Sequence, residues 1–489
     1  MMSTFADMAS IRFGYGRRPG EDLPENVDAL IRQVERGAGE ACLFPFEGIS
    51  TRRARLADYR LLDTSTKAAI KTGTLRMVGE KAVSPYSVAL NNSLQRDRHY
   101  RIEQAVLSPN GFFERLATFW TDHFSIDTRK GATTRLLVPL FEAEAIRPHV
   151  AGRFDALLKA AVLHPAMLVY LDQIRSVGPN SPVGRKSGRG LNENLARELI
   201  ELHTMGAGTG YTQADVRAAA TVLTGLWFRV PYYNTVFSAR FAEPGASTVL
   251  GRDYGGADRA MQRVHDLLED LATREETRRH ICRKLVIHFI DDDPPQAMVE
   301  AMVDAWARSD GALLEVYRAM LEHPRSFEAP GRKARQPFDF VVAALRALDV
   351  PKSALQPADP KGKPVQQVSD MIALQDVLMV SADGRPALRA NPFSVAAVER
   401  LGQPIWSPSS PAGWAEALPA WITASQLTER INWSRRLVAR FGGEIDPRAF
   451  LEATLGDAAR ADTIKTVSGA PNRAIAVSMV LASPEFNRR

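Results

Sequence analysis

From one end of the chain to the other, apolar residues recur at i, i+3, i+4 and i+7, the spacing of a single helical face. ENVDALIRQVERGAG, RIEQAVLSPNGFFERLATFWTDHF, RFDALLKAAVLHPAMLVYLDQI, RAMQRVHDLLEDLA, ETRRHICRKLVIHFI, PPQAMVEAMVDAWARS and GALLEVYRAMLEHP all carry it. Amphipathic helices have to bury their stripes against one another, so the expected fold is mainly α. Strand-type alternation is scarce. Its best candidate is 226–250, where Trp227, Phe228, Tyr232, Tyr233, Val236 and Phe237 sit between prolines and glycines and read as a short hairpin. The expectation is a multi-helix domain with a small irregular or β insertion near 227–256 and a helical, tryptophan-rich C-terminal part.

A chain of 489 residues, 45% of them hydrophobic, can bury a large core. Its charged share of 24% is ordinary for a globular protein and argues against wholesale disorder. The net charge of +6 is a mild excess over such a length. With no long basic run and no aromatic–basic interleaving, no nucleic-acid partner is expected. Cys42 and Cys282 stand too far apart for a CxxC metal site or a disulfide framework, and Cys282 reads as a buried thiol. No stretch reaches the roughly 18 apolar residues that cross a bilayer, so no membrane span is expected. The N-terminus has no apolar signal core, and Arg17 and Arg18 precede Pro-Gly-Glu-Asp, so the expected location is the cytoplasm.

The expected organisation is a core domain over 1–349, a Pro-rich linker over 350–392 and a helical region over 393–489 packed back on the core. A helical pattern at Met371–Met379 interrupts the linker. Beyond it, Trp406, Trp414, Trp421 and Trp433 crowd together, either as a wall docked on the core or as a ring-stacking surface.

The densest chemistry lies at 191–205. A helix there puts Leu191, Leu195, Leu199 and Leu202 on one face and Glu193, Asn194, Arg197, Glu198 and Glu201 on the other. Glu198 and Glu201, one turn apart, can converge on one proton, and Arg197 can pair with Glu201. Gly206, Gly208 and Gly210 end the helix, and Thr212 with Asp215 caps the next one. Asn192 and His203 flank the row. The preceding loop, SVGPNSPVGRKSGRG, brings Arg185, Lys186 and Arg189 to a helix N-terminus, a setting for an anion or an ordinary surface loop. FWTDHFSID and HPAMLVYLD each carry an acid and a histidine, yet no GxSxG elbow accompanies them. With no HExxH or ExxH pair, no metal site is expected, and the residues identify no cofactor.

The reading is a polar pocket for an anionic ligand or substrate. Glu198, Glu201 and His123 are its candidate catalytic groups, and Arg185, Lys186, Asn192, Glu193, Asn194, Arg197 and His203 its candidate ligand-binding groups. Hydrolysis with a Glu general acid/base is the simplest chemistry for it. The competing reading is a non-enzymatic scaffold or accessory protein that binds a partner protein.

Several of these stretches carry a family likeness. FWTDHFSI, HPAMLVYLD and GLNENLARELIELHTMGAGTGYTQADVRAAATVLTGL resemble the central motifs of the domain-of-unknown-function 1800 family of bacterial proteins. ASIRFGYGRRPGE, RKLVIHFIDDDPP, QPFDFVVAALRAL, LGQPIWSPSSPAGW and LASPEFNRR extend the resemblance, in order, over nearly the whole chain. The resemblance implies no general activity. It does imply that many relatives are exported and are encoded beside a second uncharacterised family that resembles sulfatases, so a protein from a neighbouring gene is a candidate partner. The chain departs from the pattern at SARFAEPGASTVLG, which lacks the histidine–aspartate pair that many members carry before LG.

Overall fold

The computed structural model describes residues 5–75, 77–78, 81–256, 260–328, 331, 333–357 and 388–489. Most of the expected linker, including the Met371–Met379 pattern, lies outside the described residues.

The fold is mainly α, as the apolar period requires. The first long helix, α1 (Val27–Gly39), starts where the Asn26 side chain accepts the Ala29 N–H at 2.9 Å. It is followed by α2 (Ile49–Thr72), α3 (Pro85–Leu107), α4 (Gly111–His123) and α5 (Ala132–Phe141). α1 buries Leu30, Ile31 and Val34 against α4. The approach is so close that a Cβ on Gly37 would fall 2.3 Å from the Phe113 ring. Two helices can only touch this way at a residue without a side chain.

α3 runs through the middle, between α5 and a later helix, and is buried on every face. It therefore shows no clean apolar stripe, and its polar residues are paired instead. Asp97 meets Arg52 of α2 at 2.9 Å, Arg101 meets Glu142 at 2.8 Å, and Glu103 meets Lys352 at 2.7 Å. Buried charge is tolerable only with such partners.

Beyond α6 (Phe154–Val162) come α7 (Asn194–Glu198) and α8 (Gln213–Leu223), the helices of the densest motif. The expected β insertion is two antiparallel hairpins rather than one. Leu226–Arg229 pairs with Asn234–Phe237, and Gly245–Val249 pairs with Arg252–Gly256. A third, two-residue pairing at Met77–Val78 and Lys81–Ala82 had no signal in the sequence. Then follow α9 (Gln262–Thr273), α10 (Glu275–Phe289), α11 (Gln296–Arg308), α12 (Leu313–Glu322) and α13 (Pro337–Ala347).

The C-terminal part is helical too, with α14 (Ala424–Phe441) packed on α15 (Arg473–Ala482). Trp433 of α14 meets Phe340 of α13 at 5.6 Å between centroids, and Trp406 meets Phe44 at the same separation. One apolar cluster extends from Ala9 to Phe486. Among the described residues, no helix is long and apolar enough to cross a membrane.

Candidate functional site

The 191–205 helix differs from its expected form. α7 ends at Glu198, and Leu199–His203 continues as a π-turn. A π-turn holds more residues per turn than an α-helix, so it rotates everything beyond it. Leu195, Leu199, Ile200 and His203 are buried, whereas Leu191 and Leu202 are only half-buried. The apolar seam thus keeps Leu195 and Leu199 but trades Leu202 for Ile200 and His203.

On the outer face the polar row satisfies itself. Arg197 pairs with Glu193 at 3.3 Å and Glu201 at 3.1 Å, and donates to Gln213 of α8 at 2.9 Å. Gln213 in turn donates to Glu193 at 2.7 Å, and the Asn192 amide oxygen accepts the Asn194 N–H at 2.9 Å. Solvent-accessible pairs of this kind contribute roughly 0.2–1 kcal/mol each. The Glu198 carboxyl is raised above the usual range by partial burial and then by Glu201 beside it.

The basic loop before α7 is fastened down. Gly178 donates to the Phe241 carbonyl at 2.8 Å, Val183 to that of Arg240 at 3.1 Å, and the Asn180 side chain to Glu243 at 2.6 Å. Ser181 caps a short helix, Pro182–Ser187, on which Arg185 and Lys186 are exposed. Arg189 donates to the Arg175 carbonyl at 3.0 Å.

His123 and His203 lie on the opposite, buried side of the helix from Glu198 and Glu201. The Lys284 amine of α10 donates to His123 Nδ1 at 3.0 Å, which leaves Nε2–H to donate to the His203 carbonyl at 3.2 Å. Both ring nitrogens of His123 are therefore engaged. Burial, followed by Lys284, holds its pKa well below the usual histidine value. His203 is pushed down to about 3 by the same two causes, and its buried Nδ1 has no hydrogen-bond partner among the described residues.

The residue before His123 opens a different setting. Asp122, at the end of α4, borders a small cavity of about 50 Å³, partly open to solvent. Its wall comes from six separated stretches, among them Arg101 of α3 and Val138 and Phe141 of α5. Thr121, Asp122 and Ser125 follow one another, His288 comes from α10, Gln336 and Phe338 from the start of α13, and Gln403, Trp406 and Trp414 from a strap over 403–416. The strap lies along the turn after α4. Ser125 donates to the Pro411 carbonyl at 2.9 Å, Thr128 N–H to that of Trp406 at 2.9 Å, and Arg129 to that of Pro408 at 2.8 Å.

The Trp414 N–H reaches both Asp122 oxygens, at 3.0 and 3.1 Å. Gly413 makes this possible. Its φ is +82°, and a Cβ there would fall 2.5 Å from the carboxylate. Burial pushes the Asp122 carboxyl up to about 7, with the Glu416 charge adding to it. Lys284 and the Trp414 N–H pull the other way without winning. Thr121 beside it is buried, and its hydroxyl has no partner among the described residues.

A chain of fixed charges supports the wall. Arg115 can only donate, so His288 Nε2, 3.0 Å away, accepts, and Nδ1–H donates to Glu416 at 2.6 Å. Arg115 also meets Asp339 at 2.5 Å, which pairs with Arg489 as well. Burial would raise the Glu416 carboxyl, but His288, Lys333 and Arg115 together hold it below the usual range.

Sequence reading made His123 a candidate and noted the acid beside it, but did not choose Asp122 and missed Lys284, His288 and Glu416. The two α10 residues carry a signal, since Lys284 and His288 stand at i, i+4 in an otherwise apolar RKLVIHFI. Glu416 has none, because the strap has no periodicity. No group of three or more His, Cys, Asp or Glu side chains among the described residues is placed to hold a metal ion.

Fold and site together define a mainly helical protein with a half-buried carboxyl at the floor of a strapped cavity. Residues 9–488 match the family described as "Protein of unknown function (DUF1800)", and the chain belongs to that family. No curated protein and no solved structure matches the chain. Of the stretches that carry the family likeness, FWTDHFSI, RKLVIHFI, QPFDF and LGQPIWSPSSPAGW all contribute to the cavity wall. The 192–226 stretch meets this machinery at His203, through its carbonyl to His123 and its ring 5.1 Å from that of Phe124.

Proposed function

We propose that the chain is an acid–base enzyme whose reaction centre is the cavity at Asp122. The observation that carries the reading is the Asp122 carboxyl itself. It faces a cavity, accepts from the Trp414 main-chain N–H, and is poised near neutrality by burial. A group that exchanges its proton near the working pH is the most effective general acid or base. Thr121 offers a spare hydroxyl beside it, and Trp406 and Trp414 offer apolar faces to a bound ring or chain. His123 acts as a positioning residue for Lys284, and hydrolysis remains the simplest reaction such a site can run.

A second reading keeps the outer face of α7 as the site, with Glu198 or Glu201 moving the proton and Arg185 and Lys186 attracting an anionic ligand. The raised Glu198 carboxyl favours it. Against it, Arg197 and Glu193 already satisfy one another and Gln213, so only Glu198 has chemistry to spare. The scaffold reading, with a partner protein from a neighbouring gene, makes no demand on either carboxyl.

Carbon-13 NMR of the aspartate carboxyls, with Asp122→Asn as the assignment control, tests the leading reading directly. A midpoint near pH 7 is expected, and a midpoint in the ordinary aspartate range sinks it. A screen of chromogenic esters, phosphates and glycosides separates the others. Loss of turnover in Asp122→Asn places the reaction in the cavity, and its loss only in Glu198→Gln/Glu201→Gln places it on α7. A well-folded protein without turnover in any form favours the scaffold.

A further inference from the structure

We propose that the Asp122 cavity binds the carboxylate end of its substrate, with the terminal nitrogens of Arg101 as the receptor. The proposal names a substrate class for the acid–base reading of that cavity and rests on that reading for the site.

Arg101 walls the cavity from α3, and its side chain is only 9% exposed. A guanidinium carries five N–H donors. The one on Nε goes to Glu142 at 2.8 Å, and Nη1 and Nη2 have no hydrogen-bond partner among the described residues. Other arginines enclosed as deeply are not left this way. Arg52, Arg115, Arg147 and Arg489 each set both terminal nitrogens on a carboxylate, carbonyl or imidazole. Enclosed donors call for a partner, and for Arg101 the cavity is where one can enter.

Three features select a carboxylate. The planar fork of a guanidinium matches a planar carboxylate with two parallel hydrogen bonds. The Phe338 and Trp406 ring centroids lie 4.8 and 5.5 Å from the guanidinium carbon, so the edge is what remains for a ligand. Volume agrees. The cavity measures about 50 Å³, and roughly 10–15 Å³ takes one water, so it encloses a group of about four heavy atoms. The rest of a substrate leads out through the open side. Charge agrees too. Asp122 is faced by Arg101 from α3, by Lys284 and His288 from α10 and by Glu416 from the strap. In its acid form Asp122 does not repel an anion, and a bound anion holds the proton on Asp122. Ligand and proton therefore bind together.

The test uses the full chain with acetate as the probe, acetamide as its neutral counterpart and inorganic phosphate as a tetrahedral anion. The reporter is the nitrogen-15 cross-peak of the Trp406 indole, whose N–H shares Glu142 with Arg101. At about pH 6, acetate should saturate the shift with an affinity about tenfold or more above that of acetamide or phosphate. An equal response to acetamide, a preference for phosphate, or no saturation by about 100 mM acetate overturns the proposal. That comparison needs no variant. Arg101→Lys keeps a charge beside Glu142 without the fork and should weaken acetate about tenfold; a folded variant with wild-type affinity overturns the proposal as well. Between about pH 6 and 8 the acetate affinity should fall about tenfold in the wild type and stay level in Asp122→Asn. A level wild-type profile with acetate selectivity intact upholds the anion site and refutes the acid. A neutral Asp122 midpoint without acetate selectivity refutes the anion site alone.

Discussion

Asp122 sits where burial outweighs every group that would keep it ionised, and that balance fixes a sign for stability. A carboxyl raised above its unfolded value binds its proton more tightly in the folded chain. The stability it contributes is full below the ordinary aspartate range and is lost as pH rises through about 7. Asp122→Asn removes the ionisation while keeping an oxygen for the Trp414 N–H. It should therefore raise Tm by roughly 1–3 °C at pH 8 and by less than half as much at pH 5. Calorimetry of both proteins at the two pH values checks this, and an equal shift at both would refute the burial argument. His288 makes a companion case. Facing a donor-only guanidinium on one side and a carboxylate on the other, it is fixed as the Nδ1–H tautomer, which nitrogen-15 chemical shifts report directly.

At the scale of elements, the 403–416 strap matters most, and it was the least legible. The helices were readable because their apolar period records which face is buried. α3 blurs that record by being buried all round, and the period was read only from Arg101 on and run straight through into α4. The π-turn at Leu199–His203 was not readable, since any fixed period assumes a constant number of residues per turn, and so Leu202 was assigned to the seam that Ile200 and His203 occupy. The strap has no period at all. Nothing local in PSSPAGW says that its backbone serves a carboxyl on α4. The sequence showed an acid beside His123 without marking Asp122 as a site, and the rest of the cavity depended on a pairing that only the folded chain makes. Gly413 tests the strap's role. Gly413→Ala adds both a clash with Asp122 and a strained φ, for a cost of about 1–3 kcal/mol. The variant should lower the midpoint of the Asp122 titration as the strap lifts and water enters. An unchanged midpoint would show that the strap does not enclose the carboxyl.

For the whole molecule, the continuous apolar cluster predicts a single cooperative transition. The 393–489 region meets the core through Trp406, Trp433 and Arg430, whose guanidinium donates to the Arg335 carbonyl at 2.8 Å. Urea unfolding followed by tryptophan fluorescence and by circular dichroism should give coincident curves. Two separated transitions would divide the chain near the undescribed residues. Arg489 probes the same unity, since its side chain is fully buried against Asp339 and the His288 carbonyl. Arg489→Ala leaves Asp339 with Arg115 as its remaining charged partner and should cost about 3 kcal/mol in the same experiment. The pairing of Asp122 with Trp414 also has a consequence in time. The donor lies 292 positions after the acceptor, and at roughly 5–20 residues per second a ribosome needs roughly 15–60 s to reach it. Throughout that interval the nascent chain carries Asp122 without its cover, as an ordinary hydrated carboxylate, and the carboxyl can be raised only when synthesis has passed the strap.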